Sequence, residues 1–305
     1  MTPRVFIDGA HGTTGLEIRD RLADRRDIAL VVLDEAQRRD PAAREHAVRD
    51  ADFAILCLPD DAARETVALA GDAPVRFIDA STAHRTDPAW TYGFPELSPG
   101  QREAIAAARM VSNPGCYPTG FLALVRPLVE AGLIDPAIPL TVNATSGYSG
   151  GGKTMIADFE NGAEATAFRA YAMGLEHKHV AEMQAHAGLA HAPLFAPAVA
   201  RTYRGMVVEV PLTGAPPIAT LYGALHTYFA GAALIHVVEA DPAEPVRIEE
   251  NADSDRMTLR IFGNDARKQA RLVATLDNLG KGAAGAAVQS LNIMAGLDET
   301  AGLRL

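Results

Sequence analysis

The sequence predicts an α/β protein of two units, the first built on a parallel sheet with helices on both faces and the second an α+β unit with a mixed or antiparallel sheet. Three observations predict it. Short, wholly apolar runs alternate with helical stretches in the first part of the chain, and a glycine-rich turn joins the first of those runs to the first helix. Further along, the pattern changes to longer β-rich runs, one of which alternates apolar and polar residues. A chain of 305 residues, 48% of them hydrophobic, has material for two cores, since a typical domain holds about 100–200 residues.

Val5, Phe6 and Ile7 form a β-branched and aromatic run, followed by a glycine turn at residues 9–15 and a helix in which Leu16, Ile18 and Leu22 recur near helical spacing. Residues 28–33 are a second apolar run ending at Asp34 and Glu35, residues 53–58 a third, and residues 75–78 a fourth ending at Asp79. Strands that are apolar throughout belong in a parallel sheet covered on both faces. Residues 207–211, 219–230 and 233–240 read as β-rich runs, and Met257, Leu259 and Ile261 alternate with their neighbours as in a half-buried strand. Residues 283–295, all but three of them apolar or glycine, read as a closely packed helix. The change of pattern places a domain boundary near residue 115.

With 28 Lys+Arg against 38 Asp+Glu, the net charge is −10, and no basic run exceeds Arg25-Arg26 or Arg38-Arg39. Such a surface repels a phosphate backbone, so no nucleic-acid partner is expected. Two cysteines, Cys57 and Cys116, allow at most one disulfide and suit a reducing compartment. Charge arrives at Arg4 and Asp8 before a signal-peptide stretch forms, and no membrane-length apolar run occurs, so a cytoplasmic protein with no membrane partner is expected.

Gly9, Gly12 and Gly15 frame a loop that also holds His11, Thr13 and Thr14, between a strand and the helix it opens. Unpaired N–H groups and the positive helix end bind phosphate at such a junction, and glycine lets the backbone approach it. The spacing is G-x-x-G-x-x-G rather than the commoner G-x-G-x-x-G, and a plain tight turn would use glycines too. Asp34 or Glu35 would accept a ribose 2′-hydroxyl and favour NAD, whereas Arg38 or Arg39 would pair a 2′-phosphate and favour NADP. The spacing does not choose between them, and all four also fit a solvated surface.

Cys116 stands among turn formers, after Ser112, Asn113, Pro114 and Gly115 and just before a helical run at residues 121–131 containing Pro127. A thiol near a helix N-terminus has its thiolate stabilised, which suits a nucleophile. Cys57, inside the apolar run Ala54, Ile55, Leu56 and Leu58, reads as packing. A thiol nucleophile needs a base, and candidates concentrate at Glu176, His177, Lys178, His179 and Glu182. On a helix beginning near Val180, His179 and Glu182 share a face, so the carboxylate would orient the imidazole. The competing zinc reading would recruit His186 and His191, but the spacing matches no zinc signature, and no metal is expected.

Residues 147–154 satisfy G-x-x-x-x-G-K-T literally, with Gly147, Lys153 and Thr154 in the P-loop places. A nucleotide triphosphate site there would leave Cys116, the histidines and the first glycine loop without a joint purpose. A substrate loop whose N–H groups and Lys153 meet an anion is the more economical account, and a mobile glycine hinge the plainest.

Together these segments closely resemble the N-acetyl-gamma-glutamyl-phosphate reductases, in their shorter form, almost from end to end. The resemblance rests on residues 7–16, 56–62, 79–85, 90–97, 112–120, 146–153, 177–179 and 276–283, and is most specific in Asn113-Pro114-Gly115-Cys116-Tyr117-Pro118-Thr119. Ala181 stands where family members commonly have proline; that proline would occupy a first helical turn and is dispensable there.

The resemblance implies NADPH-dependent reduction of N-acetyl-glutamyl 5-phosphate to the 5-semialdehyde and phosphate, in arginine biosynthesis, with Cys116 as the catalytic thiol. It implies a Rossmann domain over residues 1–115, completed by a C-terminal helix over 283–305, and a catalytic and oligomerisation domain over 116–282, as in semialdehyde dehydrogenases. It also implies NADP as cofactor, favouring Arg38, and a homo-oligomer, a dimer or tetramer. His177 or His179 would hold the thiolate and exchange the proton on the hemiacetal oxygen, with His179 preferred because Glu182 can orient it. Ser81, Arg85, Ser112, Asn113, Gly147, Lys153 and Glu182 are the candidate substrate contacts. An aspartate-semialdehyde dehydrogenase-like reductase and a non-catalytic redox sensor are the alternatives.

Overall fold

The computed structural model describes residues 2–162 and 166–305. The chain forms two compact units, Met1–Pro95 with Pro99–Gly115 and Ala283–Leu303, and Glu96–Ser98 with Cys116–Gly282 and Arg304–Leu305.

In the first unit the chain runs β1 (Arg4–Asp8), α1 (Thr13–Leu22), β2 (Ala29–Val31), α2 (Pro41–Arg49), β3 (Phe53–Leu56), α3 (Asp60–Ala70), β4 (Arg76–Asp79), β5 (Thr91–Tyr92), α4 (Gln101–Ala107) and β6 (Met110–Ser112). Its six strands are all parallel in the order β2-β1-β3-β4-β6-β5. The chain leaves β1 toward one edge and then returns to its other side at β3, which makes the carboxyl end of β1 the topological switch point where such sheets bind ligands. Side-chain alternation along β1 feeds two cores: Val5 and Ile7 join Ile18, Leu22 and Ile55 on one face, while Phe6 joins Val48, Leu56 and Phe77 on the other. Ile18 and Leu22 bury the predicted face of α1, whereas Leu16 is exposed. Asp40 caps α2 by accepting the Ala42 N–H, and Pro41 takes the first helical position, where no N–H is needed.

The second unit comprises α5 (Cys116–Glu130), β7 (Thr141–Gly147), α6 (Gly152–Glu160), β8 (Phe168–Ala170), α7 (His179–Ala187), β9 (Leu194–Ala200), β10 (Met206–Thr213), α8 (Ile218–Tyr228), β11 (Ile235–Val237), β12 (Met257–Asn264) and β13 (Gln269–Leu276). Its seven strands lie in the order β11-β12-β13-β10-β7-β9-β8 and form a mixed sheet, parallel at β7·β9 and β11·β12 and antiparallel elsewhere. Most of α5 is buried, and Gly120 lets it lie close on the sheet: a Cβ there would meet Val208 Cγ2 at 2.8 Å. Pro118 falls in the first turn of α5, where its missing N–H costs nothing.

Two expectations are corrected. Residues 219–230 are not a β-rich run but mostly the helix α8; Leu221, Leu225 and Phe229, four apart, are buried along one stripe, and that period outweighs the β-propensity of the residues between them. The C-terminal helix is α9 (Gly285–Ala295), preceded by a π-helical turn at Gly280–Ala284. It stops at Gly296, in the left-handed conformation at φ 68°, so residues 296–305 are not helical.

Candidate active site

The glycine loop sits at the switch point. Gly9 has φ +84°, and a Cβ there would lie 2.3 Å from the Cys57 carbonyl oxygen; a Cβ on Gly15 would lie 2.3 Å from the Gly9 oxygen. The chain's own packing therefore demands those two glycines. Gly12 differs, because its Cβ would only approach the Gly9 oxygen at 3.4 Å. It caps α1 with no side-chain hydrogen bond, and the first-turn N–H groups beside it, including those of Thr13 and Thr14, lie at the positive helix end.

A cleft of about 260 Å³ opens against this loop, lined among others by Gly9, His11, Gly12, Arg38, Arg39 and Arg44. His11 Nε2 lies 3.4 Å from the Leu33 carbonyl oxygen at the end of the neighbouring strand. Arg38 and Arg39 each donate to Oε1 of Glu35, at 2.5 and 2.7 Å, and the Arg38 hydrogen bond holds the Glu35 carboxyl below its usual range. Arg44 donates to Asp8 Oδ2 at 3.0 Å and to Thr66 Oγ1 at 2.6 Å. Sequence reasoning missed Arg44, which reaches the loop only because α2 folds back along β1. Amide donors at a helix end and three guanidinium groups fit the pyrophosphate and 2′-phosphate of a dinucleotide.

Ser81, Arg85, Ser112 and Asn113 lie at or beyond the carboxyl ends of β4 and β6, all buried. The Ser81 hydroxyl donates to Asp79 Oδ2 at 2.7 Å and accepts the Ala83 N–H at 3.1 Å. Arg85 donates from Nε to the Asn113 carbonyl oxygen at 2.9 Å and from Nη2 to that of Ala80 at 3.1 Å. Asn113 donates from Nδ2 to the Ala283 carbonyl oxygen at 3.0 Å. Its Oδ1 and the Ser112 Oγ are buried with no hydrogen-bond partner among the described residues. Such orphaned atoms are costly unless a ligand satisfies them.

In the second unit Cys116 is the first residue of α5, directly at the positive helix end, and neither cysteine is in a disulfide. The next residue, Tyr117, is the hub of an aromatic cluster. Its ring centroid lies 6.1 Å from that of His177, 5.9 Å from His179 and 5.1 Å from Phe195. The two histidine rings are 4.7 Å apart.

A hydrogen-bond chain distinguishes the histidines. The His179 backbone N–H donates to Nδ1 of His177 at 3.1 Å. With Nδ1 accepting, the neutral ring carries its proton on Nε2, which faces the Tyr171 hydroxyl at 3.5 Å. Tyr171 donates to the Tyr117 hydroxyl at 3.3 Å, and Tyr117 donates to the Ala198 carbonyl oxygen at 3.1 Å. Burial, with the charge of Lys178, lowers the His177 pKa to about 4, so the ring is neutral at pH 7. Burial pushes Tyr171 up to about 12 and Tyr117 well above its ordinary value, and the charge of Cys116 raises both, which places the thiol beside this cluster. Neither tyrosine hydroxyl was identifiable from sequence. His179 is buried at the start of α7, and Glu182 stands one turn on, 1% exposed.

Gly147 and Lys153 lie apart from any phosphate cradle. The N–H groups of Gly147, Tyr148 and Ser149 donate to the carbonyl oxygens of Gly205, Thr202 and Tyr203, so they are spent inside the protein. A P-loop needs those donors free, and the expectation that they attract an anion is corrected for these three residues. Lys153 is exposed in the first turn of α6. Among the described residues no group of three or more His, Cys, Asp or Glu side chains is arranged to hold a metal, and no helix is long and apolar enough to cross a membrane.

Comparison with known proteins gives a concordant picture. Residues 4–108 match the family model described as the semialdehyde dehydrogenase NAD binding domain, and residues 116–278 the one described as the semialdehyde dehydrogenase dimerisation domain. The chain is 50% identical over 309 aligned residues to proteins named N-acetyl-gamma-glutamyl-phosphate reductase from Brucella ovis and Brucella suis, covering 97% of this chain and 100% of theirs. Its fold is similar to aspartate semialdehyde dehydrogenase II from Vibrio cholerae, with a TM-score of 0.75 at 18% identity over 97% of this chain and 99% of that one. It is also similar to the Candida albicans aspartate semialdehyde dehydrogenase solved with NADP, with a TM-score of 0.68 at 14% identity over 97% and 99% of the two chains.

Proposed function

Because the chain belongs to the N-acetyl-gamma-glutamyl-phosphate reductase family, we propose that it reduces N-acetyl-glutamyl 5-phosphate to N-acetyl-glutamate 5-semialdehyde and phosphate with NADPH, through a thioester on Cys116. The observation that carries this reading is a cysteine at the first position of a buried helix, followed by a tyrosine whose ring packs on both His177 and His179.

The acyl phosphate is already activated, so the chain must supply a nucleophile, a proton carrier and a hold on anions. Cys116 attacks the acyl carbon; the carbon–oxygen bond to phosphate breaks and a thioester forms. His179 accepts the thiol proton and returns it to the departing phosphate, with the Glu182 carboxylate orienting the ring. His177 serves as a positioning residue, since its Nδ1 is occupied by the His179 N–H. Bound NADPH supplies the hydride that reduces the thioester carbonyl. The resulting thiohemiacetal oxygen is held by the same histidine, and its collapse expels the Cys116 thiolate, which regains a proton from solvent as the aldehyde leaves.

Gly9, Gly12, Gly15 and the N–H groups of Thr13 and Thr14 would hold the dinucleotide pyrophosphate, with His11 beside it, and Arg38, Arg39 and Arg44 would face a 2′-phosphate. Ser112, Asn113 and Arg85 are the favoured contacts for polar groups of the bound ligands, Ser112 and Asn113 because each has a buried polar atom to satisfy. Ser81 has its hydroxyl engaged at both ends and Lys153 is exposed, so each is a weaker contact.

We place the enzyme in the cytoplasm as a homo-oligomer. The polar Asn143 and the apolar Leu194 and Ala196, exposed on neighbouring strands of the seven-stranded sheet, support a contact between copies. A substrate panel tests the assignment: N-acetyl-glutamyl phosphate is reduced with NADPH and aspartyl phosphate is not. Equal or preferred turnover of aspartyl phosphate would overturn it.

A further inference from the structure

Residues 277–282 carry a set of buried polar anchors that the reaction above does not use, and we propose that they form the positioning element of the Cys116 thiol, with Gly282 as its contact residue. The inference rests on the reading of Cys116 as nucleophile.

Each side chain of the segment except Leu279 is tied to a different part of the second unit. Asp277 is fully buried and accepts the Leu279 N–H at 2.8 Å, the Asp253 N–H at 2.6 Å and Arg204 Nη1 at 3.1 Å. Asn278 donates to the Ser149 hydroxyl at 2.9 Å and accepts the Gly205 N–H at 3.0 Å. Lys281 is 1% exposed, and its ammonium donates to both carboxylate oxygens of Glu96 at 2.9 Å. The turn closes on itself as the Gly280 and Gly282 N–H groups both donate to the Asp277 carbonyl oxygen, at 3.1 and 3.0 Å. A buried ion pair and a carboxylate with three donors leave the turn little freedom to shift.

This held turn meets the thiol residue at Gly282. A Cβ added there would lie 3.0 Å from Cys116 Cβ and 3.4 Å from Cys116 Cα on one side, and 3.0 Å from the Asp277 carbonyl oxygen of its own turn on the other. Gly282 is not among the glycines with positive φ, so its backbone conformation does not require glycine. What requires it is the close approach of Cys116 on one side and of the Asp277 carbonyl oxygen on the other. The turn is π-helical, a form found at functional sites where a regular helix would place a residue wrongly. A methyl group at 282 is therefore confined between Cys116 and the Asp277 carbonyl oxygen, and with Asp277 held by its three donors the strain falls on Cys116 as a shift of a few tenths of an ångström. Reacting atoms tolerate such displacement poorly, and an error of about 1 Å costs on the order of 100-fold in rate.

The test compares Gly282→Ala with Gly223→Ala, a control in α8 whose new Cβ meets nothing within 4 Å. Alkylation of Cys116 by iodoacetamide is followed across pH by peptide mass spectrometry, beside steady-state kinetics and NADPH binding. Gly282→Ala is expected to slow alkylation at pH 7 by roughly 10-fold with its pH midpoint moved upward, and to lower kcat by about 10- to 100-fold with KM nearly unchanged. Gly223→Ala and NADPH affinity stay at the wild-type level. A merely structural role would lower the melting temperature and leave the alkylation profile in place, and that result overturns the proposal. If Gly282→Ala fails to fold, Glu96→Gln, which keeps shape but removes the charge facing Lys281, is read in its place, with the same direction expected and an unchanged profile contradicting the proposal. Alkylation needs no substrate, so wild-type protein inactive on the acyl phosphate, with alkylation still slowed in Gly282→Ala, would refute the reaction and leave the positioning element standing.

Discussion

Nδ1 of His177 accepts the backbone N–H of His179 at 3.1 Å, so the first histidine fastens the turn that presents the second. Protonating Nδ1 would set two donors face to face. The ring therefore stays neutral at pH 7, its pKa lowered to about 4 by burial and Lys178.

The histidines should thus respond differently to substitution. His177→Asn, whose amide oxygen can still accept the His179 N–H, is expected to keep activity within about 10-fold, while His179→Asn loses on the order of 100-fold or more in kcat. Steady-state kinetics of the two variants check this, and the reverse order would make His177 the proton carrier.

The same shift predicts how stability follows pH. The folded His177 pKa lies below the unfolded value, so between about 4 and 6.5 the unfolded chain binds the extra proton. Its contribution is fully present above pH 6.5 and is lost as pH falls toward 4. Melting temperatures measured over this window should fall less steeply in His177→Asn than in the wild type.

Gly9 and Gly12 should separate folding from binding. Gly9→Ala places a methyl group 2.3 Å from the Cys57 oxygen at a positive φ and should cost about 2–4 kcal/mol of stability. Gly12→Ala meets the Gly9 oxygen at 3.4 Å and the Cys57 oxygen at 3.9 Å, and should change stability by less than about 1 kcal/mol while weakening NADPH binding. Denaturant unfolding and fluorescence titration of NADPH report the two effects.

Arg38 and Arg39 converge on Glu35 in a geometry that also suits a phosphate. Replacing both by serine should raise the KM for NADPH by about 10- to 100-fold and leave that for NADH nearly unchanged. A wild-type preference for NADH would contradict the cofactor assignment.

The two thiols should differ in reactivity. Burial, with the charges of Asp79 and Asp8, pushes Cys57 up to about 12, whereas Cys116 sits at a helix N-terminus. Iodoacetamide at pH 8 should label the Cys116 peptide and spare that of Cys57.

Much of this architecture is legible in local sequence. Apolar runs around Val5, Phe53 and Val75 announce a doubly covered sheet, and Gly9 to Gly15 announce the tight turn from its first strand into α1, because both signals depend on neighbours in the chain. The place of Cys116 near a helix start is legible for the same reason, as turn formers precede it. Residues 219–230 mislead because Thr220, Tyr222 and Tyr228 favour strands residue by residue, while the burial stripe of Leu221, Leu225 and Phe229 decides the helix. Arg44 and Tyr171 escape a sequence reading altogether, and Gly282 enters it only as part of the matched segment 276–283, with no role. Each acts through a partner distant in the chain, Arg44 through Asp8, Tyr171 through Tyr117 and Gly282 through Cys116. The Gly147 to Lys153 motif shows the converse: its pattern suits a phosphate cradle, but its first N–H groups close a turn onto residues 202–205.

Phosphate-dependent reduction of NADP⁺ by N-acetyl-glutamate 5-semialdehyde tests the central claim most directly, run in parallel on wild-type protein and Cys116→Ser. The thioester route predicts NADPH formation in the wild type that rises with phosphate and is lost in Cys116→Ser, which still binds NADP⁺. Wild-type turnover in Cys116→Ser would contradict it.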